Sequence, residues 1–97
     1  MPGAAFVISD LDILDIEHYL AYQQALKPLL ERAGARYLAR GGSFTVYEGE
    51  HQPHCLVVME FPSAEAAEDF YESPGYQALE PQRRACSSAS IIAVDGL

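Results

Sequence analysis

The order of apolar patterns along the chain predicts an α+β fold with the element order β-α-β-β-α-β. Short segments with apolar residues at a period of two, or on both faces, alternate with longer segments in which apolar residues recur every three or four positions. This order is the split β-α-β pattern of ferredoxin-like sandwiches. A chain of 97 residues holds one such unit and leaves no room for a second core, so we expect one domain over residues 1–97.

The first strand and the first helix are marked by their periods and by helix-capping residues. Residues 4–13 (AAFVISDLDI) predict a strand that is buried on both faces through its first half. Asp15 is suited to the N-cap of the helix that follows, and the apolar stripe of that helix steps by three and four residues as far as Ala33. Gly34 is suited to the position after the helix, where a left-handed conformation is common.

The segment after the first helix predicts an interrupted strand. Its period is two, which puts Leu38 and Arg40 on one face. Gly41-Gly42 breaks the strand, and the β-forming residues at 44–47 predict that it resumes beyond the glycines. Together with the next strand it is expected to form a β-hairpin.

The second half of the chain repeats the strand and helix patterns. Ser63 is suited to cap one helix, and Ser73 followed by Pro74 is suited to start another. The elements predicted here are a turn over residues 48–53, a strand over 54–61, a helix over 64–72, a short helix from Pro74 and a strand over 88–95.

The apolar faces of the predicted strands indicate that the chain needs a partner. Right-handed crossovers place both helical segments on the same face of the sheet. The strand over residues 54–61 is nevertheless apolar on both faces, with Leu56 and Val58 opposite Val57 and Met59. A monomer would leave this second face in water, which is unusual for a large apolar patch. We therefore expect a homodimer in which two sheets pack face to face.

The charge balance and the cysteine content exclude several classes of function. Six Lys and Arg against fourteen Asp and Glu give a formal net charge of −8, which repels the phosphate backbone of nucleic acids. No apolar run approaches the roughly 20 residues that span a bilayer, and the first residues lack the features of a secretory signal. Cys55 and Cys86 are too few for a disulfide framework. We expect a cytoplasmic protein with no nucleic-acid or membrane partner.

Several short motifs occur in a fixed order over nearly the whole chain. They are Arg40-Gly41-Gly42, Glu48-Gly49, Glu60-Phe61-Pro62-Ser63, Ser73-Pro74 with Tyr76-Gln77, and Arg83. Their pattern resembles a family of small bacterial proteins known as domain of unknown function 1330. The resemblance implies a dimeric α/β barrel built from ferredoxin-like units, and it brings no established activity. Similar barrels include cofactor-independent monooxygenases, haem-degrading enzymes, lactone isomerases and non-catalytic ligand-binding dimers, so the fold does not define the function.

The best candidate for a binding site is Arg40 beside Gly41 and Gly42. A guanidinium next to glycine amides that a ligand can approach suits a carboxylate or an enolate. Because Arg40 shares its predicted face with Leu38, we expect it to point toward the helix-covered side of the sheet. The other residues expected to line this cleft are Tyr22, Tyr71, Tyr76 and Arg83. The alternative is that Arg40 pairs with Glu60 or Glu48 and ties the helices to the sheet.

Glu60 has two possible roles on the apolar third strand. A carboxylate in such surroundings is suited to act as a general base. It is equally suited to be the counter-ion of Arg40 or Arg83, and this second role is the one we favour. In an enzyme, Arg40 would stabilise developing charge, Glu60 would act as the base and Tyr76 would orient the substrate.

The remaining reactive side chains do not indicate a metal or cofactor site. His51 and His54 have no third ligand at a recognisable spacing, so we expect a solvated turn there. The two cysteines lack a CxxC spacing and are expected to be free thiols. Pro2 would become an N-terminal secondary amine if Met1 were removed, the nucleophile of tautomerases, which is a minor alternative. We expect no metal and no cofactor.

These patterns together predict a homodimer that binds or converts a small organic acid or an enolisable metabolite near Arg40. The competing hypothesis is a non-catalytic dimer that senses a ligand or a protein partner. A deep cavity that holds both Arg40 and a carboxylate would favour the enzyme. A cleft filled by Phe70, Leu79 and the tyrosines would favour the non-catalytic dimer.

Overall fold

The computed structural model describes residues 3–97 and confirms the predicted order of strands and helices. The second helical segment consists of two consecutive helices, as Ser73-Pro74 indicated. The strands are β1 (Ala5–Ile13), β2 (Arg36–Arg40), β3 (Leu56–Phe61) and β4 (Ser87–Asp95), and the helices are α1 (Ile16–Ala33), α2 (Ala64–Glu72) and α3 (Pro74–Cys86).

The four strands form one antiparallel sheet in the order β2-β3-β1-β4. β1 lies in the middle and pairs with β3 on one side and β4 on the other, so each β-α-β connection skips one strand. This is the ferredoxin-like arrangement that the sequence predicts. No helix within residues 3–97 is long and apolar enough to cross a membrane.

The helices cover one face of the sheet, and the core lies between the two layers. Val7 and Leu11 of β1, and Met59 and Phe61 of β3, point into this core and are buried. Successive side chains of a strand point to opposite faces, so the residues between them belong to the other, open face. There Phe6 pairs with Val94 and Ile8 with Ile92.

The open face of the sheet is apolar and incompletely covered. Ile92 is 58% exposed and Val94 is 49% exposed, although both lie on a regular strand beside other apolar side chains. Across the sheet, Leu56 and Val58 of β3 are only half-buried. The structure thus presents the second apolar face from which the sequence predicts a partner.

The prediction that a strand resumes at residues 44–47 is wrong for this chain. Residues 43–47 form no strand with any other described segment, and β3 begins at Leu56 rather than at residue 54. Gly41 adopts a φ of 70°, a left-handed conformation that turns the chain away from β3. The predicted hairpin therefore exists as β2 and β3, but a long connection joins the two strands.

The predicted face shared by Leu38 and Arg40 is also wrong. The pairing of β2 with β3 shifts between Tyr37 and Ala39, so Leu38 is the additional residue of a β-bulge. Beyond the bulge, Arg40 pairs with buried Val57 and lies on the same side as Tyr37, with its guanidinium carbon 4.6 Å from the centre of the Tyr37 ring. Arg40 thus points to the helix-covered side of the sheet, as expected, but it does so because of the bulge at Leu38 and not because it shares a face with Leu38.

The helix ends follow the predicted capping residues. The Asp15 carboxylate accepts a hydrogen bond from the backbone N–H of His18, and Gly34 has a φ of 74° after α1. The Ser63 hydroxyl accepts from the N–H of Ala66 at the start of α2. These caps supply partners for backbone groups that a helix end otherwise leaves free.

Ser73 joins α2 to α3 and so sets the direction of the helix that carries the candidate site. Its hydroxyl accepts a hydrogen bond from the N–H of Tyr76 at 3.2 Å and donates one to the carbonyl of Phe70 at 2.7 Å. Pro74 at the first position of α3 has no N–H to satisfy. One side chain therefore ends one helix and begins the next.

We expect Ser73→Ala to lower the free energy of unfolding by about 1–2 kcal/mol, because it removes an N-cap and a second hydrogen bond. Urea denaturation of the purified protein measures this change. Ser43→Ala, at an exposed position outside the helices and strands, is the matched control and should leave the stability unchanged. Equal stability of the two variants would contradict the role of Ser73.

Candidate functional site

A small cavity lies between the helices and the covered face of the sheet. Its volume is about 30 Å³, and its wall is unusually rich in phenol groups. We call it the tyrosine–arginine cavity. Its polar lining residues are Ser9, Tyr19, Tyr22, Gln23, Tyr37, Tyr71, Tyr76 and Arg83.

The three helices bring these side chains together through simple spacings. Tyr19 and Tyr22 are three residues apart on α1, so they share its inner face, and their rings stack with centroids 5.7 Å apart. Tyr76 and Arg83 are seven residues apart on α3, which is two helical turns. Tyr71 at the end of α2 completes the wall, with its ring edge-on to Tyr76 at 4.9 Å.

Arg83 is the unusual member of this cavity, because it is a charged residue that is only 8% exposed. Its Nε has no hydrogen-bond partner, and its guanidinium forms no ion pair with a carboxylate of residues 3–97. The backbone carbonyl of Arg83 is occupied, accepting from the Ser87 hydroxyl at 2.8 Å. The main chain at Arg83 is thus held in place, while its guanidinium has no anion beside it among the described residues.

Three of the tyrosines around Arg83, namely Tyr19, Tyr22 and Tyr71, are neutral hydrogen-bonding groups. Burial raises the pKa of Tyr19 to about 12 and raises the pKa values of Tyr22 and Tyr71 further. The positive charge of Arg83 opposes this rise in the pKa of Tyr22 and of Tyr71 but does not cancel it. At neutral pH these phenols therefore do not neutralise the guanidinium, and the cavity keeps a positive charge.

A larger groove reaches Arg83 from the surface. It lies between α3 and β4, has a volume of about 450 Å³ and shares Tyr71, Tyr76, Arg83 and Ile91 with the tyrosine–arginine cavity. Its outer rim carries Glu80 and Arg84, which pair with each other on successive turns of α3. We call it the α3–β4 groove, and it gives a route from solvent to the buried cation.

Arg40 lies in a different depression, between α1 and β2. This depression has a volume of about 530 Å³ and is also lined by Lys27 and Glu31. Arg40 is exposed, stacks on Tyr37 and does not line the tyrosine–arginine cavity. Tyr37 borders both spaces and separates Arg40 from the site around Arg83.

The three residues expected to act together in catalysis do not converge. Glu60 lies on the open face of the sheet, where its carboxylate accepts a hydrogen bond from Nε of Arg36 at 2.7 Å. Tyr76 lies on the helix side in the tyrosine–arginine cavity, and Arg40 lies outside that cavity. Glu60 does not pair with Arg40 or Arg83 as the sequence analysis expected, and its partner is Arg36, which was not among the candidates.

The amide of Gly41 is not free to bind a ligand as the sequence suggested. The N–H of Gly41 donates to the carbonyl of Leu56 at 2.9 Å, so it belongs to the end of the β2–β3 ladder. Gly42 is exposed in the connection that follows. Of the expected ligand contacts, the structure brings together Tyr22, Tyr71, Tyr76 and Arg83 and leaves out Arg40, Gly41 and Gly42.

The structure adds four polar residues that sequence reasoning missed, namely Ser9, Tyr19, Gln23 and Tyr37. Tyr19 belongs to the apolar stripe of α1, so its hydroxyl was hidden by its role in the core. Gln23 follows Tyr22 on the edge of that stripe, and Ser9 is a polar residue on the buried face of β1. A polar residue at a core position of a strand was the signal available for Ser9.

The remaining candidates form no centre within residues 3–97. His51 and His54 lie near Asp10, with nitrogen–oxygen distances of 3.4 Å and 4.0 Å, on the exposed connection between β2 and β3. No group of three metal-ligating side chains is found among the described residues. Cys55 and Cys86 are free thiols. Pro2 lies outside the described residues.

Solved structures with the same fold cover nearly the whole chain. A protein of unknown function from Rhodopseudomonas palustris has a TM-score of 0.81 at 20% identity, covering 100% of this chain and 85% of its own. A dimeric ferredoxin-like protein of unknown function from Jannaschia sp. CCS1 has a TM-score of 0.70 at 11% identity, covering 97% and 100%. SnoaB, a cofactor-independent oxygenase from Streptomyces nogalater, has a TM-score of 0.68 at 9% identity, covering 98% and 94%.

At these identities the solved structures establish the fold and no activity. No curated protein matches the chain in sequence. The sequence profile of domain of unknown function 1330 matches residues 4–97, which includes every strand and helix described above. The chain therefore belongs to the family known as domain of unknown function 1330 (DUF1330).

Proposed function

We propose that this chain is a homodimeric α/β-barrel protein that binds a small organic anion on Arg83. The anionic end of the ligand enters the tyrosine–arginine cavity, and its body lies in the α3–β4 groove. The observation that carries this proposal is the buried Nε of Arg83, which has no hydrogen-bond partner among residues 3–97.

The energetic argument starts from the cost of an unpaired buried cation. Proteins pair buried charges, because an unpartnered one loses its hydration and gains nothing in return. A hydrogen bond to a charged group contributes about 1.5–3 kcal/mol, and a carboxylate can accept two parallel bonds from a guanidinium. A ligand with a carboxylate or enolate group would supply the missing partner of Arg83.

The two connected spaces limit the size and shape of that ligand. The cavity of about 30 Å³ has room for water or for one small functional group but not for a whole metabolite. The α3–β4 groove, at about 450 Å³, has the volume of ordinary small-molecule sites. Tyr71 and Tyr76 lie at the junction, so a flat ligand would contact aromatic rings as its charged end meets Arg83.

The composition of the cavity favours binding over catalysis. Its lining residues include no carboxylate and no histidine that would act as a general base, and Tyr19, Tyr22 and Tyr71 are protonated at neutral pH. Phe70 and five tyrosines line the space between helices and sheet, which agrees with most of the arrangement expected for the non-catalytic dimer, although Leu79 does not line this space. We therefore propose a ligand-binding dimer rather than an enzyme built on Arg40, Glu60 and Tyr76.

The homodimer is supported by the open face of the sheet. Ile92 and Val94 remain about half exposed on a strand whose neighbours are apolar, and a second sheet packed on this face would cover them. Two ferredoxin-like proteins of similar structure, from Jannaschia sp. CCS1 and Thermobifida fusca YX, are described as dimeric. A twofold axis makes this self-complementary packing possible with a single kind of surface.

Arg83→Met tests the binding site through two opposite effects. Because the substitution removes an unpaired buried charge and keeps a long side chain, we expect the free energy of unfolding to rise by about 1–3 kcal/mol. We also expect the variant to lose ligand binding. A thermal-shift screen against short-chain and aromatic carboxylates, β-keto acids and phenols measures both, since a ligand at 100 times its Kd stabilises by about 2.7 kcal/mol.

Arg32→Met is the matched control for Arg83→Met. Arg32 is an exposed arginine of α1 that lines neither the tyrosine–arginine cavity nor the α3–β4 groove, so its replacement should leave binding unchanged and change the stability by no more than about 0.5 kcal/mol. A marked loss of stability in Arg83→Met would show that the guanidinium is a structural element. Retained binding in that variant would overturn the proposed site.

The protonation of Tyr19, Tyr22 and Tyr71 is tested by ultraviolet titration. Their pKa values are raised in the folded protein, so the stability that they contribute is complete below about pH 10 and falls as the pH rises above that value. We expect Tyr19, Tyr22 and Tyr71 to remain protonated at about pH 11 while the protein is folded. The urea-unfolded chain should ionise all six tyrosines near pH 10, and the same behaviour in the folded protein would contradict the prediction.

Ile92→Asp tests the proposed dimer. Ile92 lies opposite Ile8 on the open face, so a carboxylate there would be buried without a partner between the two sheets. This costs several kcal/mol, and sedimentation velocity should show dimerisation weakened by at least about 100-fold. Leu14→Asp is the control, because Leu14 is equally apolar and 70% exposed but lies outside the sheet. Dimers of unchanged affinity in Ile92→Asp would place the interface elsewhere.

A further inference from the structure

The two walls of the α3–β4 groove differ in polarity. The wall formed by β4 presents Ala89, Ile91 and Ala93, whose side chains carry neither a charge nor a hydrogen-bonding group. Their pairing with β1 places all three on the helix side of the sheet. The body of a ligand that lies along this wall is therefore held by the burial of apolar surface.

Apart from the tyrosines, the polar side chains that line the groove all belong to α3, and most of them are already engaged. Gln77 donates a hydrogen bond from Nε2 to the backbone carbonyl of Tyr71 at 2.8 Å. The Glu80 carboxylate pairs with the guanidinium of Arg84, one turn further along the helix. Arg83 is the exception, since its guanidinium pairs with no carboxylate in the described part of the chain. The groove thus offers one uncommitted cation to an anion.

Glu80 controls how many positive charges the groove presents. It lies three residues before Arg83 and four before Arg84, and these spacings make all three side chains neighbours on the helix surface. The Glu80 side chain is 22% exposed, whereas that of Arg84 is 70% exposed. Solvent therefore screens the charge of Arg84 more strongly than the charge of Glu80. A second anionic group in the groove would meet a carboxylate and a cation that is already paired.

We infer that Glu80 restricts the site to monoanions with an apolar body, because it neutralises Arg84 and leaves Arg83 as the single cation for the ligand. One carboxylate or enolate of the ligand pairs with Arg83, and Glu80 repels any second anionic group along the groove. The ligand class is a monocarboxylic acid or an enol with an aliphatic or aromatic body, and not a dicarboxylic acid or a phosphate monoester. This inference rests on the binding site proposed above.

The test is an NMR titration of the full chain with two pairs of probes that differ by one carboxylate, hexanoate against adipate and benzoate against terephthalate. We expect the wild-type chain to bind each monoanion at least about tenfold more tightly than its dianion. Glu80→Gln frees Arg84 as a second cation, so this preference should fall by at least about fivefold. Arg84→Met leaves Glu80 without its partner, so the preference should rise by about twofold, a smaller change because Arg84 is largely exposed.

The opposite signs of these two changes separate recognition from a structural role of the Glu80–Arg84 pair. Both variants break the same ion pair, so a purely structural role would move the preference in the same direction in both. Glu68→Gln is the matched control, because Glu68 is an exposed carboxylate of α2 that does not line the groove, and it should leave the preference unchanged.

The remaining outcomes distinguish a failure of the inference from a failure of the site. Dianions that bind the wild-type chain as tightly as monoanions, or an unchanged preference in Glu80→Gln, overturn the inference and leave the site at Arg83 standing. A wild-type chain that binds none of the four probes overturns both the proposed site and the inference. Binding of the monoanions to Arg83→Met with wild-type affinity also overturns both.

Discussion

A four-stranded sheet with apolar side chains on both faces and helices on only one is the constraint on which the rest of this structure depends. The chain is long enough for one helical layer, and α1, α2 and α3 are all used to cover the face that holds Val7, Met59 and Phe61. The other face keeps Ile92 and Val94 in contact with solvent. Covering apolar surface stabilises by roughly 25 cal/mol per Å², so a second sheet is the simplest way to complete the fold. The Arg36–Glu60 pair also lies on that face, where dimerisation would remove it from water as a pair and not as two isolated charges.

The face covered by the helices contains a buried positive charge, Arg83, that no carboxylate of the described core neutralises. Arg83 occupies a position on α3 that faces the sheet, and its neighbours Tyr71 and Tyr76 supply aromatic surface and phenol groups but no negative charge. An ordinary core would place leucine or methionine there and be more stable. A residue that costs stability and lies at the end of an open groove is better explained by a ligand than by the fold. The burial that makes Arg83 costly also makes its interaction with an anion stronger, since the local dielectric is low.

The sequence predicted the elements and caps of this fold because those signals are local. The periods of β1 and α1, the caps at Asp15, Ser63 and Ser73, and the glycine after α1 each depend on a few neighbouring residues. The errors arose where the structure depends on a partner strand. Because Leu38 is the additional residue of a β-bulge, Tyr37 lies on the same face as Arg40, whereas strict alternation predicted opposite faces. Residues 44–47 have strand-forming side chains, but they pair with no strand of residues 3–97. Glu60 was placed correctly on its strand, yet its partner is Arg36, because pairing across β2 and β3 is set by register and not by sequence distance. The burial of Arg83 without a carboxylate is a tertiary property that no motif records.

The proposed ligand site and the proposed dimer share the strand β4, so they should not be independent. Ile91 borders the α3–β4 groove, and the next residue, Ile92, lies on the open face where the second sheet would pack. A second sheet packed on Ile92 would fix the position of β4, which forms one wall of the groove that leads to Arg83. An anion bound at Arg83 would in turn hold α3 and β4 in one arrangement. Binding free energies coupled in this way are reciprocal, so a ligand that strengthens the dimer must itself bind more tightly to the dimer than to the monomer.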